Sequence, residues 1–219
     1  FKGNPLLVKR PFASYVMEQV LFKLSFPAEF HAQTAVECAL TLHPKVRDRF
    51  ADITKIVIET QEAGVRIIDK AGPLANPADR DHCIQYMVAV PLIFGRLNAD
   101  HYEDDVAADP RVDALRDKME VRENKQFSVD YLDPEKRAIG NAIQIFFKDG
   151  THTGRVAVDY PIGHRRRRAE GIPVLIEKCR GNLLTRFDAG RAERIMAAGS
   201  DQARLESMPV NEFMELWVQ

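Results

Sequence analysis

Cysteine is scarce in this chain, and so is any excess of charge. Three thiols, Cys38, Cys83 and Cys179, stand far apart, with no CxxC pair and no Cys/His cluster. An odd, dispersed set is no disulfide framework, and such thiols are expected to be buried and reduced, as in a cytoplasmic protein. It also leaves no ligand set for an iron–sulfur cluster, so no cofactor is expected. The 31 basic and 32 acidic side chains leave a net charge of −1, which supplies no global field to hold a polyanion. Long apolar runs are missing too: the longest is interrupted by Pro91 and Gly95, short of a membrane span. No secretory leader pattern is expected. Absent as well are a glycine-rich phosphate loop, an HExxH pair and a GxSxG elbow, so any catalysis must run on side-chain acid–base chemistry.

What is present is a composition able to build a core. The chain has 219 residues, 45% of them hydrophobic, which suits one large domain or a domain with an appended helical tail. The opening FKGNPLLVKRPF has no helix start and reads as a linker (1–16) cut out of something longer. Val20, Phe22, Leu24 and Phe26 alternate, the pattern of a half-buried strand. A helix is expected from His31 to Leu42, ended by His43-Pro44, with Pro44 opening a short second one through Phe50. The β-branched run Ile53 to Thr60 predicts a strand, followed by a loop carrying Gly64, Gly72 and Pro73. Asn76-Pro77-Ala78-Asp79 predicts a helix start, running to about Leu97, kinked at Pro91 and apolar nearly all round. Asp109-Pro110 opens another, through Met119. Asn141 to Phe147, a two-residue type I′ turn at Asp149-Gly150 and Arg155 to Asp159 predict a hairpin. From Glu170 the pattern is helical, broken at Gly181 and Gly190, with a last helix starting at Met208-Pro209. The expected class is α+β, with helices on a small, mainly antiparallel sheet (17–185) and a helical C-terminal tail (186–219).

Three segments could carry chemistry. His31 falls in the first turn of a helix, where a neutral imidazole can accept a proton or merely bond a neighbouring carbonyl. Arg80, at the end of Asn76-Pro77-Ala78-Asp79-Arg80, suits a carboxylate ligand or pairs with Asp79 or Asp81; His82 and Tyr86, one helical turn apart, share a face with each other. In Tyr160-Pro161-Ile162-Gly163-His164-Arg165-Arg166-Arg167-Arg168 a proline–glycine loop presents four adjacent guanidinium groups. Such forks grip carboxylates in bidentate fashion, hold RNA or heparin, or form salt bridges, for which Glu103-Asp104-Asp105 is a candidate. No aromatics interleave with the arginines and no nucleic-acid motif accompanies them, so nucleic acid is not an expected partner.

SFPAEFHAQTAVECAL, GPLANPADRDHCIQYMVAVPLIFGRL and YPIGHRRRRAEGIPVLIEKC closely resemble the C-terminal part of the MmgE/PrpD family, in its 2-methylcitrate dehydratase branch. The closing MPVNEFMELWVQ resembles the end of that branch, so the similarity covers essentially the whole chain. It implies a cluster-independent lyase that removes water from 2-methylcitrate to give 2-methyl-cis-aconitate in propionate catabolism, in the cytoplasm or a eukaryote's mitochondrial matrix. It further implies a larger, all-helical N-terminal domain that closes the cleft and holds most of the acid–base groups, without which this part is inactive. A homodimer is compatible with it. The substrate would be a small tricarboxylate, bound by Arg80, Tyr86, His164 and Arg165 to Arg168, with His31 handling protons and His82 second. Related cis-aconitate decarboxylases place a histidine matching His31 in the cleft and also use a tyrosine, but residues 64–73, the comparable stretch, contain none. A decarboxylase or epimerase of the family, or a non-catalytic anion- or partner-binding module, are the alternatives.

Overall fold

The computed structural model describes Gly3 and residues 25–218. Most of the expected strand at Val20 to Phe26, and of the linker, lies outside these residues. A 3₁₀ turn at Phe30–Ala32 leads into helix α1 (Gln33–Val46), which is followed by strand β1 (Ile53–Thr60). Helices α2 (Glu62–Ile68), α3 (Pro77–Arg80), α4 (Ile84–Phe94), α5 (Asp104–Ala107) and α6 (Pro110–Arg116) precede strand β2 (Met119–Glu123). Helix α7 (Lys125–Leu132) and strands β3 (Asn141–Phe147) and β4 (Val156–Val158) complete the sheet region. The tail holds α8 (Arg168–Leu184), α9 (Ala189–Ser200), α10 (Gln202–Ser207) and α11 (Val210–Glu215).

The strand order is β2-β1-β3-β4. β1 runs antiparallel to β3 and β3 antiparallel to β4, while β2 pairs with β1 in parallel. The fold is therefore α+β, and its mainly antiparallel sheet carries one parallel edge. Ile56 and Ile58 of β1 and Ile143 and Ile145 of β3 are fully buried and share a core with α1 and α4. Helix α4 is apolar nearly all round, Gln85 apart, and it is buried on every side from Ile84 through Leu92. At about 1.5–3 kcal/mol for each large aliphatic chain removed from water, it is the main anchor of that core.

Several local expectations need correction. Helix α1 does not stop at His43 but passes through Pro44, because His43 Nδ1 bonds the Leu92 carbonyl at 2.8 Å and holds the last turn on α4. No helix opens at Pro44; a 3₁₀ turn stands at Phe50–Asp52. The expected loop after β1 contains α2, whose Gly64 leaves no room for a Cβ against Thr60. The helix begun at Asn76 breaks after Arg80, because the Asp81 carbonyl accepts from Glu29 N at 3.2 Å. Helix α6 ends at Arg116, so Met119 begins a strand. At the hairpin only Gly150 has positive φ, at 80°, and Phe147 N donates to Thr151 O. That is a three-residue loop with a glycine bulge, not a type I′ turn. Gly181 lies within α8 and Gly190 within the first turn of α9, so the chain turns between them, at Thr185–Asp188. Cys38 and Cys83 are buried as expected, whereas Cys179 is exposed.

Candidate active site around His31

The bond from Glu29 N to the Asp81 carbonyl ties the turn before α1 to the α3–α4 junction. His31 enters there and is 8% exposed. Its backbone N–H donates to Glu29 Oε2 at 2.7 Å, and its Nδ1 lies 2.9 and 3.0 Å from the two oxygens of the same carboxylate. Its Nε2 faces the Tyr131 hydroxyl at 3.2 Å. A carboxylate only accepts, so it sets Nδ1 as the protonated nitrogen and leaves Nε2 of the neutral ring to accept from the phenol. Asn141 Nδ2 donates to the His31 carbonyl and to Thr34 Oγ1, both at 2.7 Å, which fastens the turn to β3.

Tyr131 belongs to the last turn of α7, a helix that Asn124 caps by accepting from Gln126 N and Phe127 N. Beside it opens a groove of about 350 Å³, lined by Phe30, Tyr131, Leu132, Pro134, Arg137 and Ile139. The loop that forms the groove's rim also receives the arginine run. Arg165 Nη2 and Arg166 Nη2 donate to the Glu135 carbonyl at 2.5 and 3.1 Å, and both side chains are exposed. His31 and the first two arginines are thus brought to one neighbourhood by way of α7 and its following loop.

The other two arginines turn inward. Arg167 donates to Glu37 at 2.9 and 3.0 Å, to the Tyr160 carbonyl and to Glu170, so its partner is not the acidic stretch at 103–105. Burial pushes the Glu37 carboxyl up from its ordinary range, against the pull of Arg167. Arg168 is half-buried at the start of α8. His164 is buried under the run, with its ring 4.6 Å from that of Tyr160 and its Nδ1 accepting from Arg166 N. Burial first, then the flanking guanidinium groups, hold its pKa below the usual imidazole range. It shapes the loop from within.

His82 is exposed, with Nδ1 2.5 Å from Asp81 Oδ1, one residue beyond the carbonyl that Glu29 engages. Arg80 and Tyr86 are not gathered with these groups. Arg80 is buried and donates to the Tyr102 carbonyl and to Asp104, both at 2.6 Å. Tyr86, 1% exposed, donates to the His101 carbonyl and stacks on Tyr102. The two line a separate cavity of about 150 Å³ with Asp113 and Arg116. The expected shared face of His82 and Tyr86 does not form, because the helix is interrupted between Arg80 and Ile84.

Residues 26–202 match the MmgE/PrpD C-terminal domain. The chain belongs to the MmgE/PrpD family. It is 60% identical over its full length to the 2-methylcitrate dehydratase of Salmonella typhimurium, covering 46% of that protein. It is 57% identical to the 2-methylcitrate dehydratase of Cupriavidus necator, with 99% of this chain and 46% of that one aligned. To the mitochondrial 2-methylcitrate dehydratase of Yarrowia lipolytica it is 56% identical, over 100% of this chain and 42% of the relative. The chain spans less than half the length of these curated relatives.

Within this MmgE/PrpD domain, sequence reasoning missed Glu29, Tyr131 and Arg137. Asn124 before Lys125 was the available signal for α7, since an asparagine at that place caps a helix start; the pairing of Tyr131 with His31 is long-range and had none. Among the described residues no group of three His, Cys, Asp or Glu side chains could hold a metal ion. Nor is any helix among them long and apolar enough to cross a membrane.

Proposed function

We propose that this chain forms the smaller side of a 2-methylcitrate dehydratase cleft, which eliminates water from 2-methylcitrate to give 2-methyl-cis-aconitate in propionate catabolism. The observation that carries this reading is His31: one ring nitrogen is fixed on a carboxylate, and the other meets a phenol beside an arginine-rimmed groove. Elimination requires a base for the proton α to a carboxylate and an acid for the departing hydroxyl, and a histidine held with Nε2 unprotonated suits the base's task. His31 Nε2 is the proton-handling atom, and His82, seated on Asp81, is second. The Arg165 and Arg166 guanidinium groups offset carboxylate charge on the tricarboxylate and on the developing carbanion. Side-chain acid–base groups carry the chemistry, most of them in the N-terminal domain of the longer enzyme, and no cofactor is invoked.

The rest of the cleft comes from the longer enzyme, a helical N-terminal domain without which this part does not turn over. Support for that partner is the share of each relative left unmatched, together with the exposed apolar side chains Ile172, Val174, Leu175 and Ile176 on α8. The reaction runs in the cytoplasm, or in the matrix of a eukaryote, a reading supported by the mitochondrial 2-methylcitrate dehydratase of Yarrowia lipolytica. In the full-length enzyme, His31→Ala should lower kcat by about 10²–10⁴ while KM changes little. Turnover near wild type would make His31 a structural histidine and remove this reading's main support.

A further inference from the structure

Among the described residues Arg137 is the one non-glycine with positive φ, at 47°. Its N–H donates to the Asp133 carbonyl at 2.8 Å, closing the loop after α7 in a left-handed conformation that glycine adopts more cheaply. Strain of this kind persists where the side chain contributes to function. The guanidinium is exposed, and its single hydrogen bond is a long one, Nε to the Pro134 carbonyl at 3.3 Å. Arg167, by contrast, is spent on Glu37, Glu170 and the Tyr160 carbonyl. Both Arg137 Nη groups are therefore available to a ligand.

They stand on a groove that is apolar along Phe30, Leu132, Pro134 and Ile139 and polar at the Tyr131 hydroxyl, which meets His31. We infer that this groove is a carboxylate subsite: Arg137 grips one carboxylate of a branched polycarboxylic acid, and the apolar wall receives its hydrocarbon part. A guanidinium presents two parallel N–H groups to one carboxylate, while the wall excludes the water that would compete. Tyr131 then lies between the bound acid and the imidazole. The inference deepens the dehydratase reading and rests on it for the acid's identity.

The test uses the full-length enzyme and tricarballylate, a tricarboxylate with no hydroxyl to lose, so that binding is read apart from turnover. Calorimetry on Arg137→Gly should show a Kd for tricarballylate weakened by about tenfold to a hundredfold. KM for 2-methylcitrate should rise in step, with kcat within about threefold and the thermal midpoint unchanged or raised, since glycine relieves the backbone. Arg137→Asn, which tolerates the same φ without the charge, should lose the same affinity, and it decides the matter if the glycine variant folds poorly. Kd and KM within twofold of wild type in the folded variant, or no tricarballylate binding by the wild type, would overturn the subsite. Arg137-dependent binding by an enzyme that leaves 2-methylcitrate intact would instead defeat the dehydratase reading and keep the subsite.

Discussion

His164 and His31 are both buried, but among different partners. His31 is buried with both nitrogens engaged, whereas His164 accepts from the Arg166 N–H, meets the Lys136 and Arg137 backbone and lies beside the Arg165 and Arg166 guanidinium groups. Its folded pKa is lowered, chiefly by burial, and His101 is lowered for the same leading reason. The unfolded chain takes up a proton at each site near pH 6.5, while the folded one resists it. Below that pH the unfolded state binds more protons, so stability is complete above about pH 6.5 and falls as the pH drops toward the folded values. Each histidine contributes a slope of at most about 1.4 kcal/mol per pH unit. Urea midpoints of the full-length protein should therefore decline from pH 7 to pH 5, and His164→Gln should flatten part of that decline. A variant curve parallel to wild type would show that His164 titrates alike in both states. The sequence disclosed His31, His82 and the arginine run as polar islands in apolar surroundings. It did not disclose Tyr131, because nothing local marks a phenol that meets an imidazole a hundred residues away.

At the level of elements, what was legible was what neighbours decide. The β-branched run of β1, the Asn76 cap and the two arms of the hairpin are each dictated within a few residues. What was not legible depends on distant partners: the break at Asp81 follows from Glu29, and the survival of α1 through Pro44 follows from Leu92. The edge strand β2 looked like the end of a helix because its pairing with β1 is invisible locally. Gly95 brings both kinds of constraint to one position. It ends α4 with φ of 68°, its N–H donates to the Pro91 carbonyl, and a Cβ there would come within 2.8 Å of the His43 ring. Gly95→Ala thus meets backbone strain and a clash with the ring that bonds Leu92. The cost should be at least about 1 kcal/mol in denaturant unfolding. A loss below about 0.3 kcal/mol would mean that the α1–α4 contact yields freely at that end.

Across the whole molecule the two cores differ in completeness. The main one wraps α4 on all sides, whereas the tail's is small, formed by Leu183, Ala192 and Ile195 with Phe187, Met196 and Leu216 around them. Helix α8 runs 17 residues yet buries only Gly171 and Leu183, leaving an apolar face for which the described residues supply no cover. Beside it an apolar depression of about 500 Å³ is lined by Leu175, Cys179, Phe187 and Trp217 among others. Exposed apolar area of this extent marks an interaction surface, and the occupant proposed for it is the remainder of the longer enzyme. Cys179 reports on it directly. In the full-length enzyme iodoacetamide should label Cys179 at least about tenfold more slowly than in the 219-residue chain alone, because its surroundings become covered. Counting modified thiols guards the comparison: the lone chain should take one label if folded and three if Cys38 and Cys83 have been exposed by unfolding. Equal rates at Cys179, with a single label in the lone chain, would mean that this face of α8 stays open in the complete enzyme and that its apolar residues meet something else.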